Sequence, residues 1–258
     1  MSTDATVIVY HGVGDCPPAQ DPYRMFMPIE KFARHMEFLA RHRRVVPLED
    51  IISGRVGKGR QAVAVTFDDG YCSVLDEAVP VLQRYGFPAV CFVPTRWIGE
   101  ANGWDTFKPT DRALPILSAE GLVELEAAGV KVESHGHAHI PLGEADEQAA
   151  IADVAASRRI LTEVLGREPR FLAYPYGSQS PEARRAVEEC RFDSAFSIGQ
   201  RDVGRFGRER VTIRPADNMA LYAFKTSGRY LAVRESHWAD RAFTLIRPLV
   251  HARRAKGA

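Results

Sequence analysis

The sequence predicts an α/β fold in which parallel strands form a closed or nearly closed sheet. Short apolar runs that suit buried strands alternate with longer amphipathic segments that suit helices. This alternation favours a parallel sheet, because each helix returns the chain to start the next strand in the same direction. With 258 residues, 45% of them hydrophobic, the chain can bury one large core. We therefore expect a single domain over residues 1–258, with a basic tail from about residue 241.

Strands and helices follow in regular order along the chain. Strands are predicted at residues 6–10, 62–67, 89–93, 129–132, 170–173 and 195–198. Helices are predicted from residue 28 to beyond 39 and at residues 73–85, 118–128, 144–165 and 181–190. Gly86 and Gly166 follow two of these helices, as is typical of helix ends. The first helix has its apolar residues on one face, so His35 within it and His42 at its end are expected to be solvated.

Two adjacent carboxylates, Asp68 and Asp69, end the strand predicted at residues 62–67, and Gly70 follows them. Successive side chains of a strand point to opposite faces, so the two cannot both be ordinary surface residues. The one that faces the core is costly to bury unless a cation or hydrogen-bond donors satisfy it. The pair therefore points to a metal site at this strand end.

Three of the eight histidines lie within five residues: His135, His137 and His139. Imidazole and carboxylate ligands without thiolate suit a borderline divalent ion such as Zn²⁺, and Co²⁺, Ni²⁺ or Mn²⁺ are alternatives. One aspartate with two histidines leaves coordination positions open for water, as a catalytic site requires. For the histidines alone, a solvated loop is the alternative.

Three motifs in this order resemble those of the polysaccharide deacetylases, carbohydrate esterase family 4 with its NodB-homology domain. Residues 66–70, Thr-Phe-Asp-Asp-Gly, match the first motif, and the spacing of His135 and His139 matches the second. The Pro-Tyr-Gly sequence at residues 175–177 matches part of the third. The resemblance runs from about residue 7 to 230. It implies a distorted (β/α) barrel of about seven parallel strands, with the active site at their carboxyl ends.

The resemblance also implies a function and a ligand set. It implies a metal-dependent hydrolase that removes N-acetyl groups from an amino-sugar-containing glycan or a lipid-linked glycan precursor. The implied metal ligands are Asp69, His135 and His139. Asp68, beside a ligand but not itself one, is the expected general base that takes a proton from water.

Two further roles are implied by the same resemblance. The family places an oxyanion-binding backbone N–H at Tyr176. In the poly-N-acetylglucosamine deacetylase branch an early Tyr-His segment supplies the acid, and here that residue is His11. A structural histidine at a strand end is the alternative for His11. His137 is expected to be exposed, with a supporting hydrogen bond as the alternative.

The chain departs from the family pattern at several positions. The arginine usual in the third motif, which orients the catalytic aspartate, is replaced by Ala173, so another cation is expected to take its place. The usual serine or threonine after the first motif-two histidine is Gly136, so a loop hydrogen bond is missing. The late Leu-x-x-His motif is not recognisable.

Two other functions remain open at this stage. One is a deformylase or another hydrolase of linear C–N amides on the same fold. The other is a non-catalytic sugar-binding homologue. The intact aspartate pair argues against a pure binder, which has no need of the base Asp68.

The segment at residues 96–117 has weak periodicity and is expected to be a long loop at the barrel rim, where loops are often functional. It contains Trp97, Asn102, Trp104, Asp105 and Phe107. Its aromatic rings could stack on sugar rings, or they could form a hydrophobic plug.

Charge and cysteine content bound the partners and the compartment. A net charge of +1 gives no electrostatic case for binding nucleic acid. The four cysteines form no C-x-x-C pair, and no secretory leader is visible, so a cytoplasmic protein is expected. The basic, apolar segment at residues 241–256 could touch an anionic membrane, or it could be a docking helix with a frayed tail. The sequence does not indicate an oligomeric state.

Overall fold

The computed structural model describes residues 5–104 and 113–235. The strands are β1 (Ala5–Tyr10), β2 (Arg44–Val45), β3 (Ala62–Phe67), β4 (Ala89–Val93), β5 (Val130–Ser134), β6 (Phe171–Ala173), β7 (Ser194–Ile198) and β8 (Arg208–Thr212). The helices are α1 (Ile29–His42), α2 (Leu48–Ile52), α3 (Val79–Tyr85), α4 (Ala119–Ala127), α5 (Glu147–Leu165), α6 (Pro181–Glu189), α7 (Met219–Lys225) and α8 (Arg229–Glu235). The predicted tail, Asp105 and Phe107 lie outside the described residues. The expectations about them, including a single domain over the whole chain, therefore stay predictions.

Seven parallel strands form a closed ring, which confirms the barrel implied by the resemblance. The ring runs β1, β3, β4, β5, β6, β7, β8 and back to β1. β2 pairs with the start of β3, whereas β4 pairs with its end, so β2 lies outside the ring. Because the ring strands run in one direction, their carboxyl ends meet at a single rim.

β1, β3 and β4 consist almost entirely of apolar residues because both of their faces are covered. β1 and β3 are buried at every residue and pair in register from Ala5–Ala62 to Tyr10–Phe67. Side chains such as Val7, Ala64, Val90, Phe92 and Phe196 pack together as one core cluster. The alternate side chains, such as Ile8 and Val65, pack in a second cluster with the apolar faces of α1 and α3. This two-layer packing fixes the strand ends that carry the site.

Most helix boundaries follow local signals that the sequence shows. The Ser118 and Asp146 side chains accept N-terminal backbone hydrogen bonds of α4 and α5. Gly86 and Gly166 end α3 and α5 in the left-handed conformation, as predicted. The segment predicted as one helix at residues 73–85 begins with a π-helical turn before α3. Within the described ranges, no helix combines the length and apolarity needed to cross a bilayer.

One ring strand was not predicted, and one expectation about local structure was wrong. β8 was not predicted, because its Arg-Glu-Arg start gives no apolar run. His35 is fully buried rather than solvated, and its ring stacks on that of Tyr222 in α7 at 3.8 Å between centroids. α7 covers this face of α1, and a single amphipathic pattern cannot show a second covering element. His42 is exposed, as expected.

Candidate active site

A cavity of about 470 Å³ opens at the carboxyl ends of the strands. Its lining includes all six residues predicted to be catalytic or to bind metal, namely His11, Asp68, Asp69, His135, His139 and Tyr176. These residues follow four different strands, β1, β3, β5 and β6. Barrel closure therefore brings together side chains that are far apart in the sequence.

Asp69, His135 and His139 form a compact, buried group. Asp69 Oδ1 lies 3.5 Å from His135 Nε2 and 3.3 Å from His139 Nε2. One potential ligand atom from each residue lies within 4.8 Å of the other two. His135 Nδ1 donates to the Ala173 carbonyl at 2.8 Å, which leaves Nε2 of that ring able to bind a metal. One carboxylate oxygen and two imidazole nitrogens at these separations fit a divalent cation.

Both aspartates are held as carboxylates despite complete burial. Burial raises the pKa of Asp69, but hydrogen bonds from His135 and His139 outweigh it and hold this pKa well below its ordinary value. Burial also raises the pKa of Asp68, but the charges of Arg210 and His135 outweigh it and lower this pKa. His11 lies close enough to contribute to both shifts in the same direction. The two neighbouring negative charges therefore share the positive field of His11 and His135, and only Asp68 also has the charge of Arg210.

Arg210 of β8 is the cation that holds Asp68. Its Nη1 and Nη2 each donate to a different Asp68 oxygen at 2.7 Å. Nη1 also donates to Thr66 Oγ1 at 3.2 Å, and the guanidinium lies 5.1 Å from the Phe92 ring centroid. The Arg210 side chain is 0% exposed, so both partners of this ion pair are shielded from water. A bidentate pair of this kind fixes the orientation of the carboxylate as well as its charge.

The family arginine that orients the catalytic aspartate is replaced by Ala173, and another cation was expected instead. Arg210 is that cation, because it pairs with Asp68. Ala173 ends β6, whereas Arg210 reaches Asp68 from β8, 142 positions from it in the sequence. The sequence did not identify Arg210, because a charged residue between Glu209 and Val211 looks like an ordinary surface position. The one usable signal is the change from Arg-Glu-Arg to Val-Thr-Ile at residues 208–213, which suits a strand end.

A second residue that the sequence did not reveal holds the histidine loop. Asp153 of α5 accepts hydrogen bonds from the backbone N–H groups of His137 at 2.7 Å and Ala138 at 2.8 Å. Gly136 has φ +74°, and a Cβ there would lie 2.8 Å from Asp153 Oδ1. The glycine therefore allows a carboxylate to approach the loop backbone. Asp153 supplies loop hydrogen bonds where Gly136 has no side chain to make one.

Three of the predicted site residues have a strained backbone. Asp69, His139 and Tyr176 have φ of 73°, 59° and 58°, a region that residues other than glycine rarely occupy. Such strain persists only where the surrounding structure fixes it, and it is concentrated at functional sites. It aims these side chains into the cavity from the ends of β3, β5 and β6.

Aromatic rings flank His139 on the cavity wall. The Trp104 and Tyr176 rings lie 4.4 Å and 4.8 Å from the His139 ring, between centroids. Tyr176 is 54% exposed, so part of its ring faces the open cavity.

Two other residues singled out in the sequence have structural contacts. Asn102 is buried, and its side-chain amide donates a hydrogen bond to Tyr71 Oη. His137 is half-buried rather than exposed, and its Nδ1 lies 2.9 Å from Thr95 Oγ1.

The sequence profile of the family described as polysaccharide deacetylase matches residues 55–195 of this chain. YxkH of Bacillus subtilis (strain 168), whose name assigns it to the polysaccharide deacetylases, is 24% identical over 217 residues, covering 81% of this chain and 71% of that protein. The poly-beta-1,6-N-acetyl-D-glucosamine N-deacetylase of Staphylococcus aureus (strain MSSA476) is 26% identical over 153 residues. That match covers 56% of this chain and 50% of the staphylococcal protein.

Solved structures share the fold. IcaB from Ammonifex degensii superposes with a TM-score of 0.70 at 25% identity, covering 86% of this chain and 97% of that one. The Streptococcus pyogenes deacetylase PplD, in complex with acetate, gives a TM-score of 0.73 at 16% identity over 86% of this chain and 97% of that one. The chain belongs to the polysaccharide deacetylase family and is, like its family, a hydrolase of carbon–nitrogen bonds.

Proposed function

We propose that this protein is a metal-dependent N-deacetylase of an amino-sugar-containing glycan or lipid-linked glycan precursor. The observation that carries the proposal is that two adjacent buried carboxylates have different partners. Asp69 faces the imidazoles of two histidines, as a metal ligand of this site would. Asp68 is instead paired with Arg210. A protein that only binds sugar has no need of this second, ionised carboxylate.

Asp69, His135 and His139 would hold the metal, which we propose to be Zn²⁺. When bound, the ion polarises the amide carbonyl and lowers the pKa of water toward neutrality. Nitrogen and oxygen donors without thiolate also accept Co²⁺, Ni²⁺ or Mn²⁺, and metal supply decides among them.

We assign Asp68 as the general base. It is ionised because Arg210 lowers its pKa, so it can accept a proton from the attacking water at neutral pH. Each of its oxygens accepts one bond from Arg210 and keeps a further lone pair for that proton. Arg210 therefore orients the Asp68 carboxylate and leaves each oxygen a lone pair that can accept a proton.

His11 and Tyr176 would complete the reaction from opposite sides of the cavity. We assign His11, which follows β1, as the acid that protonates the leaving amine. The backbone N–H of Tyr176 would donate to the oxyanion that develops on the amide carbonyl. Its left-handed conformation sets the direction of the peptide group at this point.

A carbohydrate substrate suits the walls of the site. The rings of Trp104 and Tyr176 offer apolar faces next to His139, and sugar rings stack on such faces. The staphylococcal relative is named for a polymer of N-acetylglucosamine. We therefore place an N-acetylated hexosamine in the cavity, with its acetamide group toward Asp68 and Asp69.

The decisive experiment measures metal content and acetate release together. Purified protein is incubated with N-acetylglucosamine oligomers, with and without a chelator. Stoichiometric metal and chelator-sensitive acetate release are expected. Asp68→Asn should retain the metal and lose turnover by more than about a hundredfold. Protein that holds no metal after reconstitution would refute the assignment of the three ligands. Metal-loaded protein that releases formate but no acetate from matched substrates would identify a deformylase instead.

A further inference from the structure

Two arginines, Arg24 and Arg214, line the mouth of the cavity in addition to the residues assigned above. Both side chains are exposed. Arg24 belongs to the loop after β1, and Arg214 to the loop after β8. β1 and β8 are neighbours in the ring, so the two loops meet at the same side of the rim. Among residues 5–104 and 113–235, neither guanidinium has a carboxylate partner within salt-bridge distance.

Arg24 is held in position by a carboxylate-bound turn. The two oxygens of Asp21 accept the backbone N–H groups of Met25 and Phe26, each at 2.8 Å. The Arg24 N–H donates to the Asp21 carbonyl at 3.1 Å. Arg24 has φ 52°, and of the five residues other than glycine with positive φ in the described part of the chain, four line this cavity. Strain of this kind at an exposed residue indicates that its direction matters.

The loop that carries Arg214 is fixed by a buried ion pair. The Arg214 N–H donates to Asp217 Oδ2 at 2.8 Å, and Lys225 Nζ lies 2.6 Å from the same oxygen. Lys225 also donates to the Thr212 carbonyl at 2.8 Å. From the other side, Lys31 of α1 donates to the Pro215 carbonyl at 2.6 Å. The backbone at both arginines is thus held by hydrogen bonds, so less backbone entropy is lost when their side chains bind a ligand.

The two carboxylates inside the cavity already have partners other than Arg24 and Arg214. Asp68 is already paired with Arg210, and Asp69 faces two imidazoles. The mouth is therefore positive, and a polymer that carries ammonium groups after deacetylation would be repelled there. A guanidinium instead binds phosphate or carboxylate oxygens through paired N–H groups.

We infer that the substrate carries an anionic group, a phosphate or a carboxylate, beside its acylated amino sugar, and that Arg24 and Arg214 bind this group. The inference rests on the proposed deacetylase function of the same cavity. It narrows the substrate from any N-acetylated glycan to a phosphorylated or acidic one. The aromatic faces would hold the sugar ring while the arginines fix its orientation.

The test compares three substrates that share the same N-acetylated sugar. These are methyl N-acetylglucosaminide, N-acetylglucosamine 1-phosphate and a disaccharide of glucuronic acid with N-acetylglucosamine. We expect kcat/KM for acetate release to be at least about tenfold higher for one anionic substrate than for the neutral one, chiefly through KM. The preference should fall as salt rises. Which anionic substrate is favoured identifies phosphate or carboxylate.

Variants connect the preference to the two residues. Arg24→Gln/Arg214→Gln should reduce the anionic-to-neutral ratio to near one. The matched control is Arg60→Gln/Arg84→Gln, which removes the same charge from exposed residues just before β3 and β4, at the opposite rim. This control should keep the wild-type ratio. An equal ratio in all three proteins, or no preference in the wild type, overturns the inference.

Binding separates this inference from the proposed function. Calorimetry on Asp68→Asn protein measures the affinity for each of the three sugars without turnover. Arginine-dependent binding of the phosphate without acetate release in the wild type would refute the deacetylase and retain the anion site. Acetate release without charge preference would do the reverse. Absence of both binding and turnover with all three sugars would refute both.

Discussion

Asp68 and Asp69 are neighbours in the chain, yet each has its own partners. Asp68 is paired with one buried guanidinium, and Asp69 faces two imidazoles. The difference follows from strand geometry, because adjacent residues leave a strand end in different directions. In Asp69 a φ of 73° turns the backbone further. Two carboxylates of the same intrinsic acidity can therefore take the roles of ligand and base.

The first prediction concerns the Asp68–Arg210 pair. Arg210→Met leaves Asp68 buried without its cation, and we expect unfolding free energy to fall by about 3–5 kcal/mol. Asp68→Asn/Arg210→Met should recover part of that loss, because no uncompensated charge remains. Urea unfolding in the presence of chelator measures both. Arg55→Met is the control, since its pair with Asp50 is exposed and contributes at most about 1 kcal/mol. Equal losses in the single and double variants would contradict the account.

The second prediction concerns His35, whose ring packs on Tyr222 and whose Nδ1 lies 3.1 Å from Tyr10 Oη. Burial, and then the charge of Lys31, lower the pKa of His35 from 6.5 to about 3. As pH falls, the unfolded chain takes up this proton first, so the stability is complete above about pH 6.5 and declines toward pH 3. We expect a loss of about 2 kcal/mol between pH 7.5 and pH 5 from this residue.

Urea unfolding at the two pH values, with chelator present, measures that loss. His35→Phe keeps a ring against Tyr222 but cannot titrate. Its stability should therefore change less between the two pH values than that of the wild type. A wild-type pH dependence that survives in His35→Phe would show that another group is responsible.

At the scale of elements, the loop after β5 depends on α5. Asp153 reaches from the helix to two backbone N–H groups of the histidine loop, and Gly136 leaves room for it. His135 is fixed separately through the carbonyl at the end of β6. The positions of His135 and His139 therefore depend on β5, β6 and α5 together.

The third prediction tests that arrangement with Gly136→Ala. The new methyl would meet Asp153 Oδ1 at 2.8 Å, so the Asp153 carboxylate or the loop must shift. Either shift disturbs the hydrogen bonds that Asp153 accepts from the loop, and metal affinity should fall by tenfold or more. Gly86→Ala is the matched control, because Gly86 has a similar φ of +63° with nothing within 4 Å of the added Cβ. Both variants lose stability through backbone strain, of about 1–2 kcal/mol. Only Gly136→Ala should lose metal affinity in a competition titration; equal affinity in both would contradict the role of Asp153.

At the scale of the whole molecule, β8 closes the ring and completes the site. It pairs with β7 on one side and β1 on the other, and it carries Arg210 into the barrel. The family profile ends at residue 195, before this strand begins. Residues that match the family motifs therefore depend on a strand beyond the matched region.

The fourth prediction is that a chain ending at residue 200 does not fold cooperatively, although it keeps every motif residue. It would leave β1 and β7 with unpaired edges and Asp68 without its guanidinium. A chain ending at residue 235 keeps all described elements and serves as the comparison. Circular dichroism during thermal unfolding distinguishes the two. A sharp transition in the shorter chain would show that the ring does not need β8.

The sequence by itself predicted the strands with continuous apolar runs and the residues that meet at their ends. Asp68, Asp69, His135 and His139 were identifiable because their types and spacings are local and chemically specific. The barrel of seven strands followed from the resemblance, and the structure confirms it. Helix ends at glycine were also predictable, since the left-handed conformation there is a local requirement.

Only the tertiary structure decided which distant groups satisfy the buried charges. Arg210 and Asp153 look like surface residues in the sequence, and His35 was wrongly expected to be solvated. The physical reason is that burial of a polar group depends on its partner, and the partner lies on an element placed by ring closure or helix packing. Hydrophobic periodicity records which face of one element is covered, but it contains no information on what covers the other face.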